Sequence, residues 1–117
     1  MGMKTTIREF FHWLSFKRMG YHLEDAEERH RNCSLSFDIP PKVVREDMAV
    51  GQIAKLIFID NLHGGSERMR VEIGGRRKDQ YVGTLIDSAI AVRSRDGHVL
   101  SHGKEIVFLA KNICDTR

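Results

Sequence analysis

The side chains that could do chemistry in this chain are its six histidines and two cysteines. Only His98 and His102 lie close together in sequence, as an H-x3-H pair that precedes Gly103. A tetrahedral zinc site needs three or four ligands that converge, so Cys33 and Cys114 would have to join this pair. Histidines in surface loops are usually solvated, and we therefore predict no metal ligand and no cofactor.

Motifs that position a nucleophile are missing from the sequence. It contains no G-x-S-x-G, no C-x-x-C and no H-E-x-x-H. Gly64-Gly65-Ser66 could offer backbone N–H groups to an anion, but a phosphate cradle also needs a following helix, which is not predicted there. We predict no catalytic residue. A small hydrolase or metal-binding protein is the second alternative function.

The strongest electrostatic feature is a basic segment at the predicted tip of a hairpin. The candidate anion-binding residues are the cations of that turn and two on the polar face of the preceding strand: Arg76, Arg77, Lys78, Arg68 and Arg70. They could bind an acidic partner or a nucleic-acid backbone. The alternative is a solvated tip partly neutralised by Asp79, Glu67 and Glu72. Tyr81 is the only aromatic residue nearby in sequence, which gives little support to base stacking.

Composition places the chain among single globular domains. Its 117 residues are 41% hydrophobic and 30% charged, and a domain of this length buries roughly two thirds of its unfolded surface. The 19 basic residues face 16 acidic ones, for a net charge of +3. Dedicated nucleic-acid binders usually carry a larger basic excess, so nucleic-acid binding ranks below an interaction with protein.

Cysteine usage and hydropathy bear on the compartment. Two distant cysteines are too few for a disulfide scaffold, so we predict two reduced thiols in the cytoplasm, with a single Cys33–Cys114 bridge left open. No apolar run approaches the roughly 18–20 residues of a membrane span. Lys4 and Arg8 precede the apolar run 10–14, which is too short for a signal peptide and lacks a small-residue cleavage site.

Period-2 alternation of apolar residues predicts several short β-strands. It is clearest over Glu67–Ile73, where Met69, Val71 and Ile73 share one face. Further strands are predicted at 52–59 (apolar on both faces), at 80–86 with a bulge or sharp bend at Gly83, weakly at 89–93, and at 105–110. Residues 34–39 are predicted as a short strand or an extended lead-in. Gly74-Gly75 and the basic segment after it are predicted as a turn. Short strands with glycine-rich turns favour an α+β fold with a strongly bent antiparallel sheet or small barrel of about five strands.

Helices are predicted mainly before the sheet. Thr6 and Glu9 form a capping box, so a helix should run from there to about Gly20. A charged helical turn is predicted at 24–31, with Glu27 and Arg31 spaced for an i,i+4 ion pair, and a short helix should follow Pro41. The predicted division is an N-terminal helical segment, 1–32, and a β-rich domain, 33–117, in one globular unit.

The predicted N-terminal helix carries more apolar surface than one contact requires. Trp13 and Phe16 point away from the stripe that should pack on the sheet, which is Ile7, Phe10, Phe11 and Leu14. Leaving Trp13 and Phe16 in water would create a patch that monomers tend to avoid. We predict that they form an interaction surface for residues 24–31, for a partner, or for a second copy, with a two-fold homodimer favoured.

Five strand-like motifs follow one another between Phe37 and Asp115. They are Gly51–Phe58 (GQIAKLIF), Glu67–Ile73 (ERMRVEI), Tyr81–Leu85 (YVGTL), Gly103–Phe108 (GKEIVF) and Asn112–Asp115 (NICD). In order and spacing they resemble the bacterial YegJ-like domain family of unknown function, whose members typically read G-D-x-V-K-L-x-F, E-R-M-W-V-E-V, Y-x-G-x-L-D-N, G-D-x-I-x-F and a closing H-I. The resemblance implies a shared fold and says almost nothing about chemistry.

The chain departs from that family pattern at three places. Arg70 stands where the family has Trp, Ile86-Asp87 stands where it has Asp-Asn, and Asn112 stands where it has the closing His. If these positions form a recognition surface in relatives, that surface is altered in this chain.

Together the sequence features favour a non-enzymatic interaction or accessory module of the bacterial cytoplasm. The alternative is nucleic-acid or polyanion binding through the basic hairpin. The two differ in a measurable way, because binding to a phosphate backbone weakens steeply with salt.

Overall fold

The computed structural model describes residues 20–116. In chain order its elements are β1 (Tyr21–Leu23), α1 (Ala26–Asn32), α2 (Lys42–Glu46), β2 (Ile53–Asp60), β3 (Ser66–Arg77), β4 (Gln80–Leu85), β5 (Glu105–Leu109), a 3-10 turn (Ala110–Asn112) and β6 (Ile113–Asp115). The predicted N-terminal helix, with Trp13 and Phe16, lies outside the described residues.

The fold is mainly one strongly curled antiparallel sheet. β2, β3, β4 and β5 form a meander in which each strand pairs with the next. After the 3-10 turn, β6 returns to pair with the first half of β2, on the edge where β1 pairs with the second half. The predicted fold class, α+β with a strongly bent antiparallel sheet of about five strands, is confirmed for the described part of the chain.

Alternation along β3 decides which face of the sheet is buried. Met69, Val71 and Ile73 are buried, while Arg70 and Glu72 between them and Arg68 before them are exposed, as predicted. The three apolar side chains pack inside the curl with residues of β2, β4, β5 and β6. Burying one such side chain contributes roughly 1.5–3 kcal/mol relative to leaving it in water, so this cluster is the main source of stability.

β2 is buried on both faces over Leu56–Phe58, as its mainly apolar sequence predicts. Leu56 and Phe58 face the main core. Ile57 faces the other way and packs in a second cluster with Ala26 of α1, Phe37 and Cys114 of β6. This second cluster holds α1 against the outer face of the sheet.

A bulge in β3 lies opposite Gly83 of β4. Ile73 faces Gly83 and Gly75 faces Val82, so Gly74 is the extra residue. A Cβ atom at position 83 would lie 2.5 Å from Cγ1 of Val71, which is closer than side chains pack. The irregularity predicted at Gly83 is therefore confirmed, although the extra residue belongs to the neighbouring strand.

The predicted strand at 89–93 and one predicted turn are wrong. Residues 89–93 form a loop with a single bridge from Arg93 to Val99. Of residues 34–39, predicted as a short strand or an extended lead-in, 34–36 form a turn and 37–39 belong to no strand. β3 continues through Gly74-Gly75 to Arg77, so the turn is Lys78-Asp79. A glycine pair in a strand fits a bulge as well as a turn, and an extended loop that buries one side chain can alternate like a strand.

α1 begins at a side-chain cap. The carboxylate of Asp25 accepts a hydrogen bond from the N–H of Glu28 at 3.0 Å, which satisfies one of the free N–H groups of the first turn. The predicted pair of Glu27 with Arg31 is wrong. Glu27 instead bonds Arg45 of α2, because Arg45 offers a buried partner and Arg31 an exposed one.

Arg45 ties the two helices to the end of the sheet. α2 begins directly after Pro41, as predicted. The Arg45 side chain is only 5% exposed, and its guanidinium donates to Glu27 at 2.5 Å, to the carbonyl oxygen of Pro40 at 2.8 Å and to that of Ala110 at 3.3 Å. A buried guanidinium is stable only when its donors are satisfied, and here they join α1, α2 and the 3-10 turn.

Candidate interaction surface

The β3–β4 hairpin gathers three of the five predicted anion-binding residues. Arg77 is the last residue of β3, opposite Gln80, and the two-residue turn between them is Lys78-Asp79. Lys78 adopts a positive φ of 57°, which a tight hairpin turn requires. Arg76, Arg77 and Lys78 are all exposed at this tip.

Tyr81 gives the hairpin a rigid base. Its ring is buried, and the guanidinium carbon of Arg76 lies 4.7 Å from the ring centroid, within range of a cation–π contact. Its hydroxyl donates to the carbonyl oxygen of Arg45 at 2.8 Å and accepts from the N–H of Met48 at 3.1 Å. The stacked ring of Phe108 lies 5.4 Å away, centroid to centroid. The hairpin is thus anchored to β5 and to the segment after α2.

The five predicted cations do not form one site. Arg68 and Arg70 lie in the middle of β3 on its outer face, opposite Ile57 and Lys55 of β2. The Arg70 guanidinium bonds Asp87 at 2.8 Å, and this hydrogen bond raises the pKa of Arg70 and lowers the pKa of Asp87. The charge of Arg70 is therefore balanced by the carboxylate of Asp87.

Arg68 is engaged by an aromatic ring that sequence reasoning missed. The guanidinium carbon of Arg68 lies 5.5 Å from the ring centroid of Phe37, and that of Arg29 lies 4.5 Å from the same centroid. Arg29 also bonds Glu24 at 3.0 Å. No sequence signal links Phe37 to Arg68, because the contact depends on how the turn after α1 folds back onto β2.

Unpaired positive charge is concentrated at the hairpin tip. Within residues 20–116, no ion pair involves Arg76, Arg77 or Lys78. Asp79 lies in the same turn without forming an ion pair with any of them. The tip therefore presents a cationic group to any partner that approaches it.

β5, the strand next to this hairpin, has an open edge. The N–H of Leu85 bonds the carbonyl oxygen of Lys104. This bond shows which residue pairs between β4 and β5 exchange main-chain hydrogen bonds and which do not. Antiparallel pairs alternate between bonded and non-bonded, so Ile106 and Phe108 bond β4, while the main-chain groups of Glu105, Val107 and Leu109 point away from it.

Two of the three residues that point outward at that edge, Glu105 and Val107, have free main-chain groups in the described structure. The N–H of Leu109 bonds Oδ1 of Asn112 at 2.8 Å. No hydrogen bond within residues 20–116 uses the outward N–H or C=O of Glu105 or Val107. Free edges are templates for pairing with another strand, and proteins usually cover or blunt them.

Apolar surface adjoins this edge on the outer face of the sheet. Val107 lies directly opposite Val82 of β4, and Val107 is 38% exposed. The hairpin tip stands beyond the other end of the same two strands, since Gln80 faces Leu109. We name the group of Arg76, Arg77, Lys78, Glu105 and Val107 the β5 corner.

A cavity of about 210 Å³ lies at the opposite end of β3. It is lined by Asp60, His63, Gly65, Ala91, Val92 and Arg93. The buried Asp60 carboxylate accepts from the N–H groups of His63 at 2.9 Å and Leu62 at 2.7 Å, and these bonds lower its pKa. His63 Nδ1 lies 3.5 Å from Asp60, too long for a strong bond, so Asp60 acts as a loop anchor.

Glu67 anchors the second loop of the cavity. Its carboxylate accepts from the N–H groups of Ile90, Ala91 and Val92 at 2.6, 2.9 and 2.7 Å. Burial alone would raise the pKa of Glu67, but the three hydrogen bonds together hold it below its ordinary value. Sequence reasoning missed this role, although the parity of β3 puts Glu67 on the face of Met69.

The cysteines and the His98–His102 pair, which were considered as metal ligands, do not converge in the described structure. Cys33 is exposed after α1, Cys114 is buried on β6, and both are free thiols. His98 and His102 lie in the exposed loop between β4 and β5. Within residues 20–116, no group of three or more His, Cys, Asp or Glu side chains could hold a metal ion.

No family model, curated protein or solved structure matches this chain. The resemblance to the YegJ-like family therefore stays a prediction. Two positions that depart from its pattern, Arg70 and Asp87, bond each other in this chain. Among residues 20–116, no helix is long and apolar enough to span a membrane.

Proposed function

We propose that this protein is a non-enzymatic interaction module that binds a partner protein at the β5 corner. The observation that carries the proposal is the open main-chain edge at Val107, whose exposed side chain pairs with the half-buried Val82 and which lies near a cationic hairpin tip. Edge groups supply hydrogen bonds, apolar side chains supply buried area, and charges guide the approach of a partner.

The anchoring of the hairpin supports binding at this place. The hydroxyl of Tyr81 both donates and accepts a hydrogen bond, and the Arg76 guanidinium stacks on its ring. A surface that is already ordered loses less conformational entropy when it binds, which leaves more of the contact energy as affinity. The two carboxylates that line or border the described cavity, Asp60 and Glu67, accept hydrogen bonds from backbone N–H groups. This is a structural role, which supports a non-enzymatic function.

Site-specific photo-crosslinking in the source cell tests the proposed function. A benzophenone side chain at position 107 should give one defined protein adduct, and the same group at position 28, on the exposed face of α1, should give none. Excess unlabelled wild type should suppress the adduct, and excess Arg77→Glu/Lys78→Glu variant should not. Equal labelling from both positions would contradict binding at the β5 corner.

Polyanion binding is the second candidate function, because Arg76, Arg77 and Lys78 lack ion pairs within residues 20–116. Three phosphate contacts give only weak, salt-dependent affinity, so we expect a Kd weaker than about 10⁻⁶ M at physiological salt. Fluorescence anisotropy with single- and double-stranded oligonucleotides measures it. Nanomolar binding that the Arg76→Ser/Arg77→Ser/Lys78→Ser variant loses would favour this candidate over the first.

Self-association through Trp13 and Phe16, and a cytoplasmic location, belong to the same proposal. The free thiols of Cys33 and Cys114 are consistent with a reducing compartment. Fractionation of the source cell tests the location, and sedimentation of the purified chain tests the self-association.

A further inference from the structure

We infer that the partner at the β5 corner supplies an extended segment that pairs antiparallel with β5 and carries acidic residues at its N-terminal end. The inference rests on the proposed function and names the chemistry of the partner. It joins two features that the fold places together, the free edge of β5 and the cations of the hairpin.

Main-chain geometry limits the pairing to one short stretch. The free outward groups of β5 are the N–H and C=O of Glu105 and Val107, since the N–H of Leu109 is held by Asn112 and its C=O begins the 3-10 turn. An added strand would therefore form its best pair opposite Val107, with both hydrogen bonds of an antiparallel pair. β5 has five residues, which spans about 17 Å, so a partner of about six residues covers it.

The side chain opposite Val107 should be apolar. A partner residue bonded to Val107 points its side chain to the same outer face. Val82 and Val107 already form a cross-strand pair there. A branched apolar residue would extend this row to a third strand, and such cross-strand neighbours each contribute about 0.2–1 kcal/mol.

Charge along the edge sets which end of the partner is acidic. Glu105 lies at one end of β5, and an acidic residue opposite it would be repelled. Leu109 lies at the other end, opposite Gln80 and next to the turn that carries Arg77 and Lys78. Arg77 ends β3, three strand spacings or about 14 Å from an added strand, and Lys78 follows it in the turn toward β4. Extended Arg, Lys and Glu side chains cover most of such a gap, and opposite charges attract each other over the rest at low salt.

Antiparallel pairing gives the partner a readable pattern. Because β5 runs from Glu105 to Leu109, an antiparallel strand begins beside Leu109 and ends beside Glu105. From its N-terminal end, the partner should read acidic, acidic, any residue, apolar, any residue, basic. The second acidic residue then lies opposite Leu109, the apolar residue opposite Val107 and the basic residue opposite Glu105. A segment Asp-Glu-Ser-Ile-Ser-Lys satisfies this pattern, with Ile opposite Val107 and Lys opposite Glu105.

Backbone N-methylation separates strand pairing from simple charge attraction. A fluorescein-labelled Asp-Glu-Ser-Ile-Ser-Lys peptide is titrated with the full chain at low salt, and anisotropy is recorded. Methylating the Ile nitrogen removes the donor to the Val107 carbonyl and should weaken binding at least about tenfold. Methylating the nitrogen of the following Ser, which points away from β5, is the matched control and should change little.

Charge variants test the hairpin end of the same site. Arg77→Glu/Lys78→Glu should weaken the parent peptide at low salt by about tenfold, and raised salt should remove the difference. Lys42→Glu/Arg95→Glu changes the net charge equally on exposed residues elsewhere and should not. Circular dichroism and thermal unfolding establish that each variant remains folded.

Three results would overturn the inference. They are no binding of the parent peptide at about 1 mM, equal binding of both N-methylated peptides, and binding of polyglutamate or an oligonucleotide of equal charge as tight as that of the parent. In each case, a specific photo-crosslinked adduct from position 107 in cells would still support the proposed interaction module. The partner would then be of a different chemistry. Loss of that adduct would remove the proposed function itself.

Discussion

The hydroxyl of Tyr81 donates a hydrogen bond to the carbonyl oxygen of Arg45 at 2.8 Å, inside the protein. The hydroxyl oxygen of Tyr81 in turn accepts from the N–H of Met48 at 3.1 Å. One side chain of β4 thus satisfies two buried main-chain groups in and after α2. This relationship fixes the position of the helix against the sheet and, through the same ring, the position of Arg76.

Tyr81→Phe should destabilise the protein by about 1–3 kcal/mol, because it leaves a buried acceptor and a buried donor without partners. Urea unfolding followed by circular dichroism measures the change. Arg77→Ala on the same hairpin is the control and should stay within about 0.5 kcal/mol. A Tyr81→Phe protein as stable as wild type would mean that α2 is not held by this hydroxyl. The ring remains in the variant, so oligonucleotide or peptide binding at the hairpin tip should persist.

Gly83→Ala should destabilise the protein by about 3 kcal/mol. The added methyl group would lie 2.5 Å from Cγ1 of Val71 and 2.6 Å from the carbonyl oxygen of Glu72, and the second contact is with backbone that cannot yield easily. Gly75→Ala is the matched control, since nothing lies within 4 Å of a Cβ atom there. Thermal unfolding compares the two. Similar losses would show that the bulge is more adaptable than the register indicates.

The sheet could be predicted from the sequence because its signal is local. The alternation of Met69, Val71 and Ile73 fixes a buried face of β3, and the glycine at position 83 marks the irregularity in the ladder. The sequence predicts the turn too early because a glycine pair such as Gly74-Gly75 fits a bulge as well as a hairpin turn. The register that pairs Arg76 with Tyr81 decides between the two, and the sequence pattern does not display it.

The candidate site could be predicted only in part. The basic residues of the hairpin are contiguous in sequence, so Arg76, Arg77 and Lys78 were found together. The open edge at Val107 was not, since a strand is an edge only when its neighbours in space are known. The pairing of Arg70 with Asp87 could not be predicted for a similar reason, because Asp87 lies 17 residues away in the sequence.

Val71→Ala should cost about 1–3 kcal/mol through lost burial and the cavity left behind. Arg70→Ala should destabilise clearly less, because an exposed ion pair with Asp87 is weakly stabilising and is screened by salt. Denaturant midpoints at low and high salt separate the two. Equal losses would show that the assignment of the two faces of β3 is wrong.

Self-association is predicted to depend on Trp13 and Phe16. Sedimentation velocity should show a dimer for wild type and a monomer for Trp13→Ser/Phe16→Ser. Leu35→Ser is the matched control, since it removes an apolar side chain that is fully exposed in the described structure. A wild type that is monomeric at high micromolar concentration, with buried Trp13 fluorescence, would remove the dimer from the proposal.

Glu67→Gln should loosen the loop that follows β4. The ionised carboxylate accepts from Ile90, Ala91 and Val92, and hydrogen bonds to a charged acceptor stabilise by roughly 1.5–3 kcal/mol against 0.5–1.5 for neutral ones. An amide also turns its NH2 group toward one of these donors. We expect a loss of about 1–3 kcal/mol at neutral pH, and faster hydrogen exchange at the three amides.

The effect should vanish in acid, and its sign follows from linkage. The pKa of Glu67 is lower in the folded protein than its ordinary value of 4.5, so the unfolded chain binds the proton first as the pH falls. The stability contributed by the carboxylate is complete above that ordinary value and is lost as the pH falls through the folded pKa. Urea unfolding of wild type and Glu67→Gln should therefore converge once the pH falls below the folded pKa, which lies under 4.5. If the difference in the free energy of unfolding stays constant into acid, the amide destabilises the loop because of its hydrogen-bonding geometry and not because it lacks the charge.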